Sequence, residues 1–169
     1  MKVLDQKYVL KNYSNGVAKV TLRKSKVKGT SLIATKTIQK NQVIAYYKFT
    51  VFRQKDFKSQ TDNMYTFAVH TKSDNVSNTL IGDLTEDSLE QPKRGIPFWG
   101  YFANEPSGRQ TPNSFIDTNL AENYKNKSRL SPGDSMIYKL RAERTIHPGE
   151  EIVWCYGQSY LRDYDTTVC

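Results

Sequence analysis

Residues 149–157 read Gly149-Glu150-Glu151-Ile152-Val153-Trp154-Cys155-Tyr156-Gly157, close to the C-terminal end of a chain of 169 residues. The nine residues before them read Leu-Arg-Ala-Glu-Arg-Thr-Ile-His-Pro. A Pro-Gly pair marks a turn, and the apolar runs on either side of it are typical of short strands. The pattern therefore predicts a strand at 136–142, a turn, and a second strand at 151–154 that leads to Tyr156.

Two earlier segments have comparable punctuation. Residues 26–38 read Lys-Val-Lys-Gly-Thr-Ser-Leu-Ile-Ala-Thr-Lys-Thr-Ile, and a turn at 39–42 separates them from the apolar run 43–49. Phe102-Ala103-Asn104-Glu105-Pro106 is followed, after a short link, by Pro112-Asn113-Ser114-Phe115. Each segment alone is a common turn-and-strand pattern.

The remaining chain predicts a β-rich domain. Short runs of β-branched and aromatic residues, bounded by Gly, Asn, Asp and Pro, predict further strands. These runs are 17–22, 31–35, 65–70, 79–82 and 113–117. The charged stretch 83–95 is predicted as loop or a short helical turn, and the polar stretch 119–133 as an excursion between two strands. No internal repeat is present.

Taken in order, the three segments resemble the SET domain family of protein lysine methyltransferases. They are similar to the family's Gly-x-Gly opening, its Phe-x-Asn-His-Ser stretch with a trailing Pro-Asn, and its Gly-Glu-Glu-Leu strand with an essential tyrosine. This chain departs from the pattern at Ser31 in place of the second glycine, Glu105 in place of His, and Pro106 in place of Ser. The resemblance covers about residues 17–160, which leaves a flank at 1–16 and a short tail at 161–169.

The resemblance implies a mostly β fold of small curved sheets with few short helices. In that fold the C-terminal segment threads through a loop formed by the preceding chain, a pseudoknot-like crossing. We therefore expect Asn104 and Glu105 to lie beside Tyr156. The resemblance also implies methyl transfer from S-adenosylmethionine to the ε-amine of a lysine in a protein, with histone tails as the first candidate substrate.

Roles for single residues follow from the same resemblance. Tyr156 is expected to be the central catalytic residue, with its hydroxyl at the methyl-transfer pore. The expected cofactor-binding residues are Lys28, Gly29, Thr30, Ser31, Tyr101, Asn104, Glu105 and Tyr156. Aromatic side chains line the lysine channel in this family, and the candidates here are Tyr46, Tyr65, Phe67, Phe115 and Tyr138. No metal site is expected, because the chemistry requires none.

Composition sets wider limits. The net charge is +8, which attracts acidic surfaces without specifying a fold. The two cysteines, Cys155 and Cys169, form no CxxC pair, so a structural zinc site is not predicted, although their spacing allows a disulfide. Because no apolar run is long enough to span a bilayer, we expect an intracellular protein of the nucleus or cytoplasm. We expect a protein substrate as partner, no membrane and no required nucleic acid, and leave a homodimer open.

Two other interpretations stay open at this point. The departures at Ser31, Glu105 and Pro106 are compatible with a SET-like module that has lost catalysis and binds a partner. The positive charge is compatible with a nucleic-acid-binding domain, although the chain shows no basic strip interleaved with aromatic residues and no known binding motif.

Overall fold

The computed structural model describes residues 11, 13, 15–25, 28–58, 65–69, 80–84, 95–118, 131–157, 160, 162, 164, 168 and 169. Strands dominate this part of the chain, as predicted. They are β1 (Val20–Ser25), β2 (Gly29–Ala34), β3 (Val43–Arg53), β4 (Phe67–Val69), β5 (Leu80–Asp83), β6 (Ser114–Asp117) and β7 (Ser135–Ala142). Short 3-10 helices lie at Gln54–Asp56 and Gly100–Phe102.

The strands form two antiparallel sheets. β1 and β2 make a hairpin in which Val20 pairs with Ala34 and Ser25 with Gly29. The other five strands are ordered β4-β5-β3-β7-β6. The long β3 pairs with β7 along most of its length, from Val43 opposite Arg141 to Thr50 opposite Ser135.

Apolar side chains from both sheets form two packed clusters. Alternation along β3 buries Ala45, Tyr47, Phe49 and Val51 on one face. The first cluster joins the hairpin to residues near the Pro-Gly turn, with Leu32 and Ile152 fully buried. The second gathers mainly Tyr47, Phe49, Met136 and Tyr138 between the sheet and the helix at Gly100–Phe102. Burial of this apolar surface is the main stabilising contribution to the fold.

Residues 149–156, the crossing segment, run between the hairpin and the chain at 104–113. On one side, the Ile152 N–H donates to the Leu32 carbonyl at 2.8 Å. On the other, the Trp154 N–H donates to the Asn104 carbonyl at 3.0 Å, and Asn104 and Val153 form a parallel bridge. The crossing that the resemblance implied is therefore present.

The structure corrects two of the predicted strands. The strand predicted at 17–22 begins only at Val20, because Ala18 has a positive φ of 57° and Val17 bonds back to Val20 across a tight turn. The strand predicted at 151–154 is reduced to isolated bridges at Glu151 and Val153. Its backbone groups bond alternately to two different neighbours, so no continuous ladder forms.

The two cysteines form a disulfide that links Cys155 to Cys169, with their Cα atoms 5.3 Å apart. It joins the end of the crossing segment to the last residue of the chain. Among the described residues, no helix has the length and apolar character that crossing a membrane requires.

Candidate functional site

The end of the crossing segment places Tyr156 against residues 103–105. The Tyr156 N–H donates to Glu105 Oε1 at 2.7 Å, and the Tyr156 hydroxyl donates to the Ala103 carbonyl at 3.1 Å. Tyr156 and Glu105 are 51 positions apart in sequence. The expected juxtaposition of Asn104 and Glu105 with Tyr156 is thus observed. Tyr156 is held by hydrogen bonds from both its backbone N–H and its hydroxyl.

A glycine allows the chain before Asn104 to lie this close to the sheet. A Cβ at Gly100 would come within 3.0 Å of the Tyr46 carbonyl oxygen and 3.0 Å of Tyr47 Cδ2. These distances are tighter than most real Cβ contacts, so any larger residue would require Tyr46 or Tyr47 to shift by a few tenths of an ångström. The approach also brings the Tyr101 ring onto Tyr47, with ring centroids 3.8 Å apart.

Groups of opposite charge meet on the other side of Asn104. We call Lys28, Ser31, Asn104, Gln110 and Glu151 the polar cluster. Lys28 Nζ donates to the Glu105 carbonyl at 3.0 Å and to Gln110 Oε1 at 2.7 Å, and it lies 3.3 Å from Glu151 Oε2. Asn104 Nδ2 donates to Ser31 Oγ at 3.1 Å and to the Thr30 carbonyl at 3.1 Å. Four separate parts of the chain therefore supply one hydrogen-bonded network.

The polar cluster keeps its carboxylate ionised. Burial by itself opposes ionisation of Glu151, but hydrogen bonds from Gln110 and Ser31 and the charge of Lys28 outweigh it and lower the pKa of Glu151. The side chains of Lys28 and Glu151 are 15% and 17% exposed, so solvent still reaches both. An ammonium beside a carboxylate complements both ends of a zwitterionic amino acid.

The backbone at 29–31 begins β2 beside this cluster. Gly29 has a φ of +73°, a conformation that L side chains rarely adopt, which explains a glycine here. Thr30 and Ser31 are both buried. Ser31, which replaces the family's second glycine, presents its hydroxyl to the Asn104 amide, so the substitution adds a contact to the network.

Aromatic rings surround Tyr156 on the side away from the polar cluster. We call Tyr47, Tyr65, Tyr101, Trp154, Tyr156 and Tyr160 the aromatic cluster. The Tyr156 ring lies 5.1 Å from Trp154 and 4.8 Å from Tyr160, centroid to centroid. Tyr65 meets Tyr101 edge-on at 5.8 Å. Such rings offer a desolvated surface with a few phenol groups on it.

Three phenols of this cluster, those of Tyr47, Tyr65 and Tyr156, stay protonated near neutral pH because their pKa values are raised. Burial, reinforced by the neighbouring Tyr164, Tyr160 and Tyr65, raises the pKa of Tyr156 far above its usual value. Burial likewise raises the pKa values of Tyr47 and Tyr65. A neutral Tyr156 can donate or accept a hydrogen bond, but it cannot act as a general base near neutral pH.

The five aromatic residues predicted for the lysine channel lie in different places. Tyr65 belongs to the aromatic cluster, and Tyr138 is buried against Phe49 with its pKa raised to about 12 by burial. Tyr46 faces the side of β3 opposite Tyr47 and packs on Phe98 at 5.8 Å. Phe115 is 38% exposed on the edge strand β6. Phe67 lies in β4, and its side chain is outside the described residues.

Sequence reasoning did not single out several members of the two clusters. Glu151 was quoted within the Gly-Glu-Glu motif without a role, and Gln110 lies in the link between Asn104 and Asn113. Tyr47 could have been found, because it alternates with Tyr46 and one of the two must face the core. Tyr160 and Arg162 belong to no motif, and only the folded chain brings Arg162 to Glu105 and Tyr160 to Tyr156.

No group of three or more metal-binding side chains occurs among the residues that the structure describes. The Trp154 indole nitrogen is buried, and in the same part of the chain it has no hydrogen-bond acceptor. The site consists of a charged polar cluster and an aromatic cluster that contains Tyr156, and Glu105 contacts both, through its carbonyl to Lys28 and through its carboxylate to the Tyr156 N–H.

Comparisons with known proteins agree with this architecture. A family model described as the SET domain matches residues 29–157. Similar solved structures include a candidate histone methyltransferase from Plasmodium falciparum, with 16% identity and a TM-score of 0.50 over 84% of this chain and 96% of that chain. Another is CpSET8 from Cryptosporidium, with 20% identity and a TM-score of 0.53 over 83% of this chain and 58% of that chain. No curated protein sequence matches significantly. At these identities the solved structures support the fold alone, but the family model spans more than half of the chain, and the protein therefore belongs to the SET domain family.

Proposed function

We propose that this protein is a lysine N-methyltransferase that takes its methyl group from S-adenosylmethionine. Members of the SET domain family are generally methyltransferases, and the solved relatives include one described as a candidate histone methyltransferase. The observation that most supports the proposal is the contact of Tyr156 with residues 103–105 between a polar and an aromatic cluster.

The polar cluster fits the amino-acid portion of the cofactor. The Lys28 ammonium would pair with its carboxylate, and Glu151 beside Asn104 would pair with its ammonium. S-adenosylmethionine, when bound, supplies a methyl group on a positively charged sulfur. Glu151 of the polar cluster and Tyr156 of the aromatic cluster both lie on the crossing segment, which therefore links the two clusters.

The aromatic cluster fits the chain of a lysine. A free lysine has a pKa of about 10.4, so at neutral pH only about one in a thousand is the neutral nucleophile. A desolvated environment favours the uncharged amine. Because Tyr156 stays protonated, its part is to orient the amine, and the proton must leave to solvent before transfer.

The substrate is a protein, and histone tails are the first that we would test. The net charge of +8 supports association with acidic surfaces such as those of chromatin. The proposed location is the nucleus or the cytoplasm. The test is transfer of a labelled methyl group to core histones, nucleosomes and a cell lysate, with oligomeric state measured alongside. We expect label in protein that requires folded enzyme. Tight cofactor binding without transfer to any of these would favour a binding module instead.

Replacing Lys28 with Met should weaken cofactor binding. Methionine has an unbranched side chain of similar length but lacks the charge that would face the cofactor carboxylate. We therefore expect a Kd about tenfold higher or more. Calorimetry with S-adenosylmethionine measures the change. Lys24→Met, on the exposed face of the same hairpin, is the control and should bind like the wild type. Equal Kd values for wild type and Lys28→Met would remove Lys28 from the cofactor site.

The pH dependence of the reaction should have no descending limb between pH 7 and 9.5. Protonated Tyr156 keeps its role throughout this range, since burial raises its pKa above the usual value of 10. The substrate lysine meanwhile loses its proton progressively, so kcat/KM should rise about tenfold per pH unit. Initial rates at saturating cofactor would show this. A fall above pH 8 in protein that circular dichroism shows to be folded would contradict the assignment of a neutral phenol.

A further inference from the structure

Glu105 stands where the family has a histidine, and its side chain is engaged at both oxygens. Arg162 donates from Nε to Oε2 at 2.6 Å and from Nη2 to Oε1 at 2.6 Å. The Tyr156 N–H donates to Oε1 at 2.7 Å, and the Tyr164 hydroxyl donates to Oε2 at 2.9 Å. We call these four residues the Glu105 clamp.

At the centre of the clamp, the Glu105 carboxylate is a buried ion with partners at both oxygens. The Glu105 side chain is only 1% exposed. Burial by itself opposes its ionisation, but hydrogen bonds from Arg162, the Tyr156 N–H and Tyr164 outweigh that effect and lower its pKa. Removing one partner of a buried ion pair leaves the other uncompensated, which is strongly destabilising.

Arg162 extends the clamp to the chain on either side of the tyrosines. It donates from Nη2 to the Gly157 carbonyl at 2.8 Å and from Nη1 to the Tyr160 carbonyl at 3.1 Å. Its guanidinium lies 5.5 Å from the centre of the Tyr160 ring, and that ring contacts Tyr156. One carboxylate thus fixes the backbone of Tyr156 directly and the ring of Tyr160 through Arg162.

The geometry points to Glu105 as a positioning residue: its carboxylate holds Tyr156 and Tyr160 in the arrangement that receives the substrate lysine. This role rests on the proposed function. It differs from cofactor binding, because the side chain of Glu105 faces Arg162 and Tyr164, whereas only its backbone carbonyl faces Lys28 and the polar cluster.

The test is a double-mutant cycle with Glu105→Gln, Arg162→Gln and the double variant. A glutamine cannot accept hydrogen bonds at both positions, since one oxygen becomes an NH2 donor that faces other donors. We expect each single variant to lower kcat roughly tenfold or more, because small displacements at a reacting centre are costly. The cofactor Kd should change less than about threefold. The double variant should resemble the singles rather than show the product of their losses.

A second pair in the chain provides a matched control. Glu150 accepts a hydrogen bond from Arg144 at 2.7 Å and from the His147 N–H at 2.7 Å, the same chemistry on the surface, with side chains 46% and 30% exposed for Arg144 and Glu150. Glu150→Gln, Arg144→Gln and their double variant should keep kcat within about twofold, since exposed ion pairs contribute little.

Amide hydrogen exchange tests the clamp independently of activity. With the disulfide intact, peptides that contain Tyr156 should exchange faster in Glu105→Gln and Arg162→Gln than in the wild type. In the control variants Glu150→Gln and Arg144→Gln, their exchange should be unchanged. Unchanged exchange in the Glu105 set would overturn the clamp. Faster exchange with normal kcat, or a kcat loss matched by an equal loss of cofactor affinity, would overturn its positioning role.

A wild type that binds cofactor but methylates nothing would refute the proposed function, and the exchange data would still decide whether the clamp holds Tyr156. If Glu105→Gln does not fold, Arg162→Gln decides the same question, because it releases both oxygens of the carboxylate that accepts from the Tyr156 N–H.

Discussion

Replacing Tyr156 with Phe should lower kcat roughly 100-fold or more while leaving the fold and the cofactor Kd nearly unchanged. The loss is expected because the hydroxyl is fixed by its bond to the Ala103 carbonyl and the ring packs against Trp154 and Tyr160. A hydrogen-bonding group held in place in a desolvated site has an effect of this order. Single-turnover methyl transfer with a labelled donor measures the chemical step directly.

Tyr13→Phe is the matched control. Tyr13 packs edge-on against Trp99 in the first core cluster, with ring centroids 5.4 Å apart, so the same loss of a hydroxyl occurs away from Tyr156. Its kcat should stay within about twofold of the wild type. If Tyr156→Phe retains most of the activity while folded, the catalytic role passes to another residue, and Tyr156 becomes a packing tyrosine.

The sequence predicted the fold better than the strand ends. Alternating apolar residues placed β3, β6 and β7 within a few residues, since burial of one face decides both pattern and structure. The start of β1 was predicted three residues too early because Ala18 adopts a left-handed backbone conformation. This conformation is uncommon for residues other than glycine, so the sequence gives no sign of it. Residues 151–154 have a strand pattern, but their hydrogen bonds go to two separate partners. Such long-range pairing is not encoded in local periodicity.

The site was predicted in part. The resemblance placed Asn104 and Glu105 beside Tyr156, and in the structure Tyr156 is hydrogen-bonded to the two neighbours of Asn104, Ala103 and Glu105. It assigned Glu105 to cofactor binding, and the structure shows the Glu105 side chain bound to Arg162, which lies in no motif. Motifs retain the residues that are shared by a family. Arg162 lies in none of the quoted motifs, so the resemblance does not identify it as the partner of Glu105.

Asn113 is a buried residue whose side chain holds the crossing segment in place. Its side chain replaces a strand partner for the crossing segment: Nδ2 donates to the Glu151 carbonyl at 2.8 Å, and Oδ1 accepts from the Val153 N–H at 3.0 Å. Its backbone N–H also donates to the Val153 carbonyl at 3.1 Å. Asn113 is 2% exposed, so water cannot replace these bonds without rearrangement.

Asn113→Ala should therefore destabilise the protein by about 2–6 kcal/mol, because it leaves two buried backbone groups without partners at about 1–3 kcal/mol each. For a chain of this size the melting temperature should fall by roughly 4–24 °C. Urea unfolding followed by tryptophan fluorescence measures the change, and Asn15→Ala, on an exposed turn, is the control that should stay within about 0.5 kcal/mol. Because the same two bonds hold the segment that leads to Tyr156, the variant should also lose activity below its melting temperature. A stable Asn113→Ala variant with normal kcat would mean that the backbone contacts to the hairpin alone hold the crossing in place.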